Sequence, residues 1–240
     1  MEKPVYRRIL LKLSGEALLG KASSGIDVDM ARSIGREIGE IEGLGVQVAL
    51  VVGGGNFLRG EALSRRGIGR VTGDVMGMLA TVMNGLALRD LFRGEGLSAR
   101  VQSAVAMPQV AEAFDGEAAR KYLEDGEIVI FAGGTGNPFF STDTAAALRA
   151  LETGADVLLK ATKVDGVFDK DPVTYPDARR FERISYDAVL EKNLRVMDQT
   201  AVALCRDNAL PVVVFNMEKA GNIRRVVCGE PTGTLIGGKS

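Results

Sequence analysis

Six short stretches, several of them continuously apolar, stand out along the chain: residues 9–13, 46–52, 98–102, 128–132, 157–160 and 211–215. Their lengths suit strands, and the lack of strict alternation in several of them is the pattern of strands covered on both faces. Between them, apolar positions recur every three or four residues over 27–42, 72–93, 142–153, 198–208 and 219–226. That spacing predicts helices, with Asp27, Thr72, Thr142 and Asp198 standing where an N-cap oxygen is needed. Because strand and helix alternate, the pattern predicts an α/β fold with a mainly parallel sheet sandwiched between helices. A last strand is expected at 234–236. No internal repeat, low-complexity tract or Pro/Gly/Ser-rich linker divides the 240 residues, a length that suits one domain over 1–240.

Composition narrows the partners. Hydrophobic residues make up 46% and charged residues 25%, as in globular chains. The 30 basic and 31 acidic residues are interspersed and give a net charge of −1, which speaks against nucleic acid. No apolar run reaches the roughly 18 residues that span a bilayer, and the start lacks a long apolar stretch ending in a cleavage site. The chain therefore reads as cytoplasmic, with no membrane segment. Cys205 and Cys228 cannot build a disulfide framework or a zinc site alone, and both read as small buried hydrophobes.

Histidine is absent altogether. Serine–histidine and cysteine–histidine triads, histidine proton shuttles and histidine-ligated zinc are thereby excluded. The remaining lysines, arginines, carboxylates, hydroxyls and backbone amides suit positioning and charge neutralisation. Phosphoryl transfer is the leading reaction of that kind.

In an open α/β sheet, ligands sit beyond the carboxyl ends of the strands. Four segments follow strands here: KLSGE from Lys12, GGGNFLRG from Gly53, GGTGNPFFSTD from Gly133 and KATKVDGVF from Lys160. Glycine clusters let backbone amides approach an anion closely, the more so where a helix begins. One such cluster can be a mere tight turn. Two at equivalent sheet positions, each followed by a charged residue and a helix, point to two phosphate groups. The last eight residues, GTLIGGKS, fit the nucleotide-loop pattern G-x-x-x-x-G-K-S. No helix follows to aim its N-terminus at a phosphate, so this match is expected to be a decoy.

The order KLSGE, GGGN with LRG, GDVMGMLATVMNGLALRD, AGGTGNPFFSTDTAA, LLKATKVDGVFDKDP and RVMDQTA resembles the amino acid kinase family over nearly the whole chain. Within that family it is similar to the bacterial UMP kinases. The resemblance implies a three-layer α/β/α sandwich, ATP with Mg²⁺, UMP as acceptor and UDP as product. It also implies a homohexamer activated by GTP and inhibited by UTP. By position, Lys12, Leu13, Ser14 and Gly15 with Gly55 and Arg59 face the ATP phosphates, and Thr162, Phe168 and Asp171 line the adenosine pocket. Gly54, Asp74, Thr135, Gly136, Asn137, Pro138, Phe139, Phe140, Ser141 and Thr142 hold UMP. Ser141 departs from the threonine often found there, though a hydroxyl survives. The GTP site falls at Gly20, Lys21, Ala22, Ser23, Ser24 and Gly25 with Arg89, Arg93 and Arg100.

The residues fit that chemistry. A phosphate acceptor already carries an anionic oxygen, so no general base is required, and the task is to align two polyanions and cancel their repulsion. Lys12, Arg59 and Asp143 are the candidate catalytic groups. Arg59 offers a planar donor fork, while Asp143 either orients Lys12, helps place Mg²⁺ or stabilises a helix N-terminus. No dedicated protein cage for the metal is expected. Asp74 either accepts bonds from ribose hydroxyls or caps the helix that follows. On that helix Val75, Met78, Leu79, Val82, Met83 and Leu86 read as core, and the resemblance adds a subunit interface. Asp165-Gly166 reads first as a turn. Two other readings stay open: a kinase of carboxylates or carbamate, and a nucleotide sensor without turnover. A dinucleotide dehydrogenase is weakest, for no G-x-G-x-x-G follows the first strand.

Overall fold

The computed structural model of the protein describes residues 3–58, 67–194 and 196–237. Six strands form where the apolar runs stand: β1 (Arg8–Leu13), β2 (Gln47–Val52), β3 (Ala99–Ser103), β5 (Ile128–Ala132), β6 (Val157–Thr162) and β8 (Val212–Asn216). The final strand, β9 (Thr234–Ile236), also forms. Two further strands of two residues each, β4 (Glu112–Ala113) and β7 (Arg183–Ile184), are too short to leave a periodic signal. The sheet runs β4-β3-β5-β2-β1-β6-β8-β9-β7, and its neighbours are parallel except β8 with β9. β1 lies centrally, with β2 on one side and β6 on the other, so the chain reverses its direction of progress there. This is where an open α/β sheet opens a crevice for ligands.

Helices cover both faces. Ile9, Leu11 and Leu13 of β1 join a core with the helices Val28–Glu42, Arg70–Gly94 and Asn222–Val227. Leu10 of β1 and Leu158 of β6 join a second core with Gly116–Glu124, Thr142–Thr153, Tyr186–Glu191 and Gln199–Asp207. Side chains alternate across a strand. Lys12 therefore shares the face of Leu10, and Lys160 that of Leu158.

Caps explain several boundaries. Asp27 accepts from Met30 N at 3.0 Å and Asp198 from Ala201 N at 3.0 Å, as the sequence indicates. The other two expected caps are displaced. The long helix starts at Arg70 with Gly69 as its N-cap, three residues ahead of Thr72. Ser141, not Thr142, caps Thr142–Thr153, its hydroxyl accepting from Asp143 N and Thr144 N. A serine hydroxyl beside two free amides is the stronger local choice. The helices Gly116–Glu124 and Tyr186–Glu191 were not foreseen; each carries its own side-chain cap, Asp115 and Ser185.

The long helix also corrects one expectation. By length and composition alone, Arg70–Gly94 is apolar enough to cross a membrane. It bears the buried polar side chains Thr81 and Asn84, both hydrogen-bonded to sheet-end loops, and so serves as a core helix. Its apolar residues also split between two faces. Met78 and Val82 are buried, whereas Val71, Val75, Leu79 and Met83 form an exposed stripe. Among the cysteines, Cys205 is buried and its thiol pushed up to about 12 by that burial, but Cys228 is only half-buried.

Candidate active site

At the centre of the sheet the register places Lys12 of β1 directly beside Lys160 of β6. Both point to the same face, toward the first turn of Thr142–Thr153. There one carboxylate meets both: Asp143 Oδ1 lies 2.7 Å from Lys12 Nζ, and Oδ2 lies 2.7 Å from Lys160 Nζ. All three side chains are largely buried, at 11%, 14% and 13% exposure for Lys12, Asp143 and Lys160. Lys160 Nζ also donates to Val196 O. Among the described residues Asp143 Oδ1 is answered by Lys12 alone, and Oδ2 by Lys160.

Burial raises the Asp143 carboxyl, but the charges of Lys12 and Lys160 outweigh it and leave its pKa below the ordinary value. For Lys160, burial and the neighbouring Lys12 outweigh Asp143, and its pKa falls. Two ammonium groups thus face a sheltered cleft, balanced by Asp143 and, more remotely for Lys160, by Asp198. An incoming anion meets both of them there.

Two glycine segments border this cleft. A Cβ on Gly15 would lie 2.7 Å from Gly53 O and 2.7 Å from Gly55 N, so the loops after β1 and β2 touch backbone to backbone. On the second segment, Gly133, Gly134 and Gly136 all have positive φ. The long helix fixes both segments from below. Asn84 Nδ2 donates to Gly53 O at 2.7 Å and its amide also bonds Asn56, while Thr81 Oγ1 accepts from Gly133 N at 2.7 Å. The signal for these anchors was present as polar residues on the inner side of an apolar helix.

Three cavities open along this edge of the sheet, and the lysines line the first. One of about 630 Å³ reaches from Lys12, Ser14, Lys160 and Thr162 toward Met30, Glu37 and Met217. A second, of about 580 Å³, shares Thr162 and is lined by Phe168, Asp171, Leu194 and Val196. The third, of about 180 Å³, lies between Gly54 and Gly55, Asp74 and Met78 of the long helix, and Thr135, Asn137, Phe140, Ser141 and Thr142. The structure thus brings together most of the residues singled out in the sequence, with exceptions. Leu13 is fully buried in the core, so only its backbone is available. Gly136, Pro138 and Phe139 belong to the loop without lining the third cavity. Asp171 turns its carboxylate to Val173 N at 2.9 Å and to the Thr174 hydroxyl at 2.7 Å, closing its own turn. Arg59 and the terminal Lys239 and Ser240 lie outside the described residues.

Residues that the sequence did not mark as functional complete the site. Asp198 caps its own helix and receives the hydroxyls of Ser141 and Thr144, the latter at 2.9 Å, so it joins two helix N-termini at the cleft. Lys160 stood in a quoted motif without a role; only the β1–β6 register reveals it. Of the proposed regulatory residues, Ser24 and Gly25 bond Asn56 O. Arg93 donates to Ala99 O at 3.1 Å, Arg100 pairs with Glu112 and Glu127, and Arg89 with Asp90. Loop and arginines are committed to separate partners.

The model of the amino acid kinase family matches residues 7–216. The crystal structure of UMP kinase from Bacillus anthracis is similar at TM-score 0.95 and 39% identity, over 98% of this chain and 97% of that one. UMP kinase from Ureaplasma parvum matches at TM-score 0.92 and 36% identity, over 99% and 100%. Uridylate kinase from Archaeoglobus fulgidus matches at TM-score 0.76 and 26% identity, over 95% and 99%.

Proposed function

Because the chain belongs to the amino acid kinase family, we propose that it is an ATP-dependent nucleoside monophosphate kinase converting UMP to UDP, a step of pyrimidine nucleotide synthesis in the cytoplasm. The observation that carries this reading is the Lys12–Asp143–Lys160 cluster, whose two lysines line one cavity and whose carboxylate follows Thr142 on the wall of a second, glycine-bordered one. ATP lies with its adenosine against Phe168 and Thr162 and its phosphates over Ser14, Gly15 and Gly55 toward Lys12. UMP occupies the cavity between Asp74 and Thr142.

An oxygen of the UMP phosphate attacks the γ-phosphorus in line; the new O–P bond forms as the bond to the β,γ-bridging oxygen breaks, and ADP leaves with that electron pair. No proton need be removed from the nucleophile, since a phosphate monoester is already anionic at neutral pH. Asp143 holds the two ammonium groups apart and aimed. Among the described residues Lys12 lacks the further backbone tie that Lys160 makes to Val196 O, and so is the group placed to meet the phosphoryl oxygens as charge builds on them.

Mg²⁺ fits as a companion of the nucleotide. Among the described residues no group of three or more Cys, Asp or Glu is clustered to hold a metal, and Asp143 is already answered by two lysines. The ion would ride on the phosphates and water, and supplies further charge neutralisation. The exposed stripe Val71, Val75, Leu79 and Met83 supports a homo-oligomer, in keeping with the hexamer that the resemblance implies. GTP activation and UTP inhibition, with the 20–25 loop and Arg89, Arg93 and Arg100 as the activator site, complete the reading.

A coupled ADP-release assay with UMP, CMP, dTMP, glutamate and aspartate offered separately tests it. The kcat/KM for UMP is expected to exceed that of every other acceptor by about 10²-fold or more, because buried partners of the uracil edge stay unpaired with an analogue. Comparable turnover with an amino acid would overturn the assignment.

A further inference from the structure

Asp74 forms one wall of the acceptor cavity, and its carboxylate is held from behind. Arg70, one turn earlier on the same helix, places Nε 2.9 Å from Asp74 Oδ1 and 2.8 Å from Oδ2. One N–H is thus shared by both oxygens, which fixes the direction in which the carboxylate points. From the other side of the cavity mouth, Phe139 N donates to Asp74 Oδ2 at 2.8 Å. Phe139 has a φ of 71°, a left-handed conformation that a bulky side chain rarely adopts unless its surroundings impose it. Here they do: besides the bond to Asp74, the Arg70 guanidinium carbon sits 5.4 Å from the centre of the Phe139 ring.

An exposed Arg–Asp pair one helical turn apart is ordinarily a minor contact, and the Arg70 side chain is indeed 59% exposed. Two things set this pair apart. Asp74 is far less exposed, at 17%, and faces the cavity, whereas Arg70 does not line it. The same carboxylate also ties the helix to a loop residue 65 positions away in the chain.

We propose that Arg70 is a positioning residue for the acceptor: by fixing Asp74 it sets both the carboxylate that meets the acceptor's ribose hydroxyls and the closed shape of the loop at Phe139. This rests on the reading that the cavity between Asp74 and Thr142 takes a nucleoside monophosphate. Without Arg70 the carboxylate turns about its two side-chain torsions and meets the sugar in many orientations. The loss falls on acceptor binding and on recognition of the hydroxyls, and the donor side is untouched.

The test compares wild type, Arg70→Gln and Arg70→Lys as full-length protein. Two readouts are taken: kinetics with UMP, 2′-deoxy-UMP and ATP varied in turn, and amide hydrogen exchange over residues 137–140. Arg70→Gln is expected to raise KM for UMP about tenfold, leave KM for ATP within about twofold and shrink the preference for UMP over its deoxy form about tenfold. Arg70→Lys, which keeps the charge but loses the planar group beside the Phe139 ring, is expected to fall between the two. Exchange over 137–140 is expected to quicken about tenfold in Arg70→Gln, whatever the acceptor. An unchanged UMP preference, or KM for ATP rising as far as KM for UMP, would overturn the proposal. So would unchanged exchange. A wild-type enzyme inactive on UMP would instead remove the functional reading, and the exchange measurement would still decide whether Arg70 holds the loop.

Discussion

A single carboxylate serving two buried ammonium groups makes Asp143 the residue on which stability and chemistry converge. Its pKa is held below the ordinary 3.8 because the charges of Lys12 and Lys160 outweigh its burial. A depressed carboxylate contributes stability that is fully present above its unfolded pKa and is lost as pH falls through the folded value. Wild type should therefore lose stability below about pH 4, measured as the urea midpoint against pH. Asp143→Asn should be weaker near neutrality by about 3 kcal/mol or more, since two buried lysines lose their partner, and its acid loss should be shallower. Equal acid slopes in the two proteins would contradict the role given to Asp143. The sequence alone made Lys12 and Asp143 candidates, for one ends a strand and the other opens a helix. Lys160 was not legible as their third member, because no local pattern reveals which residues of two parallel strands stand side by side.

At the scale of elements, what could be read was what local chemistry dictates. The six apolar runs became strands because strands covered on both faces need continuous apolar sequence. Asp27 and Asp198 cap helices because their oxygens can reach orphan amides in the first turn. What could not be read was set by partners remote in sequence. β4 and β7 have two residues each and exist only because neighbouring strands offer their edges. The cap at Ser141 is chosen partly by Asp198, which receives its hydroxyl across 57 positions. That arrangement makes a separable prediction. Ser141→Ala should cost about 1 kcal/mol in urea unfolding, a typical loss for a helix cap, whereas Ser141→Thr should stay within about 0.5 kcal/mol. If threonine proves as costly as alanine, the hydroxyl is not what stabilises this helix start.

Over the whole molecule, one helix and one pair of strands organise the site. Arg70–Gly94 anchors both glycine segments through Asn84 and Thr81, and carries Asp74 at the cavity wall. β1 and β6 supply the lysines, and the crevice opens where the sheet reverses its direction of progress. Fold class and the approximate place of the site were visible in the sequence, since glycine clusters at strand ends mark that edge. The division of the cleft into separate cavities was not, because it depends on how loops from β1, β2, β5 and β6 meet. Nor was the double character of the long helix, one face core and the other an exposed apolar stripe, which periodicity alone reads as a single buried surface.

The central claim is that a phosphoryl group passes from ATP to UMP at the lysine cluster. It is tested most directly by following ATP and UMP with ³¹P NMR in the presence of wild type and of Lys12→Met. Wild type should yield UDP and ADP in equal amounts with no inorganic phosphate. Lys12→Met, folded as judged by its urea midpoint, should form the same products about 10²–10³-fold more slowly. ADP appearing with inorganic phosphate instead of UDP, or Lys12→Met making UDP at the wild-type rate, would contradict the account.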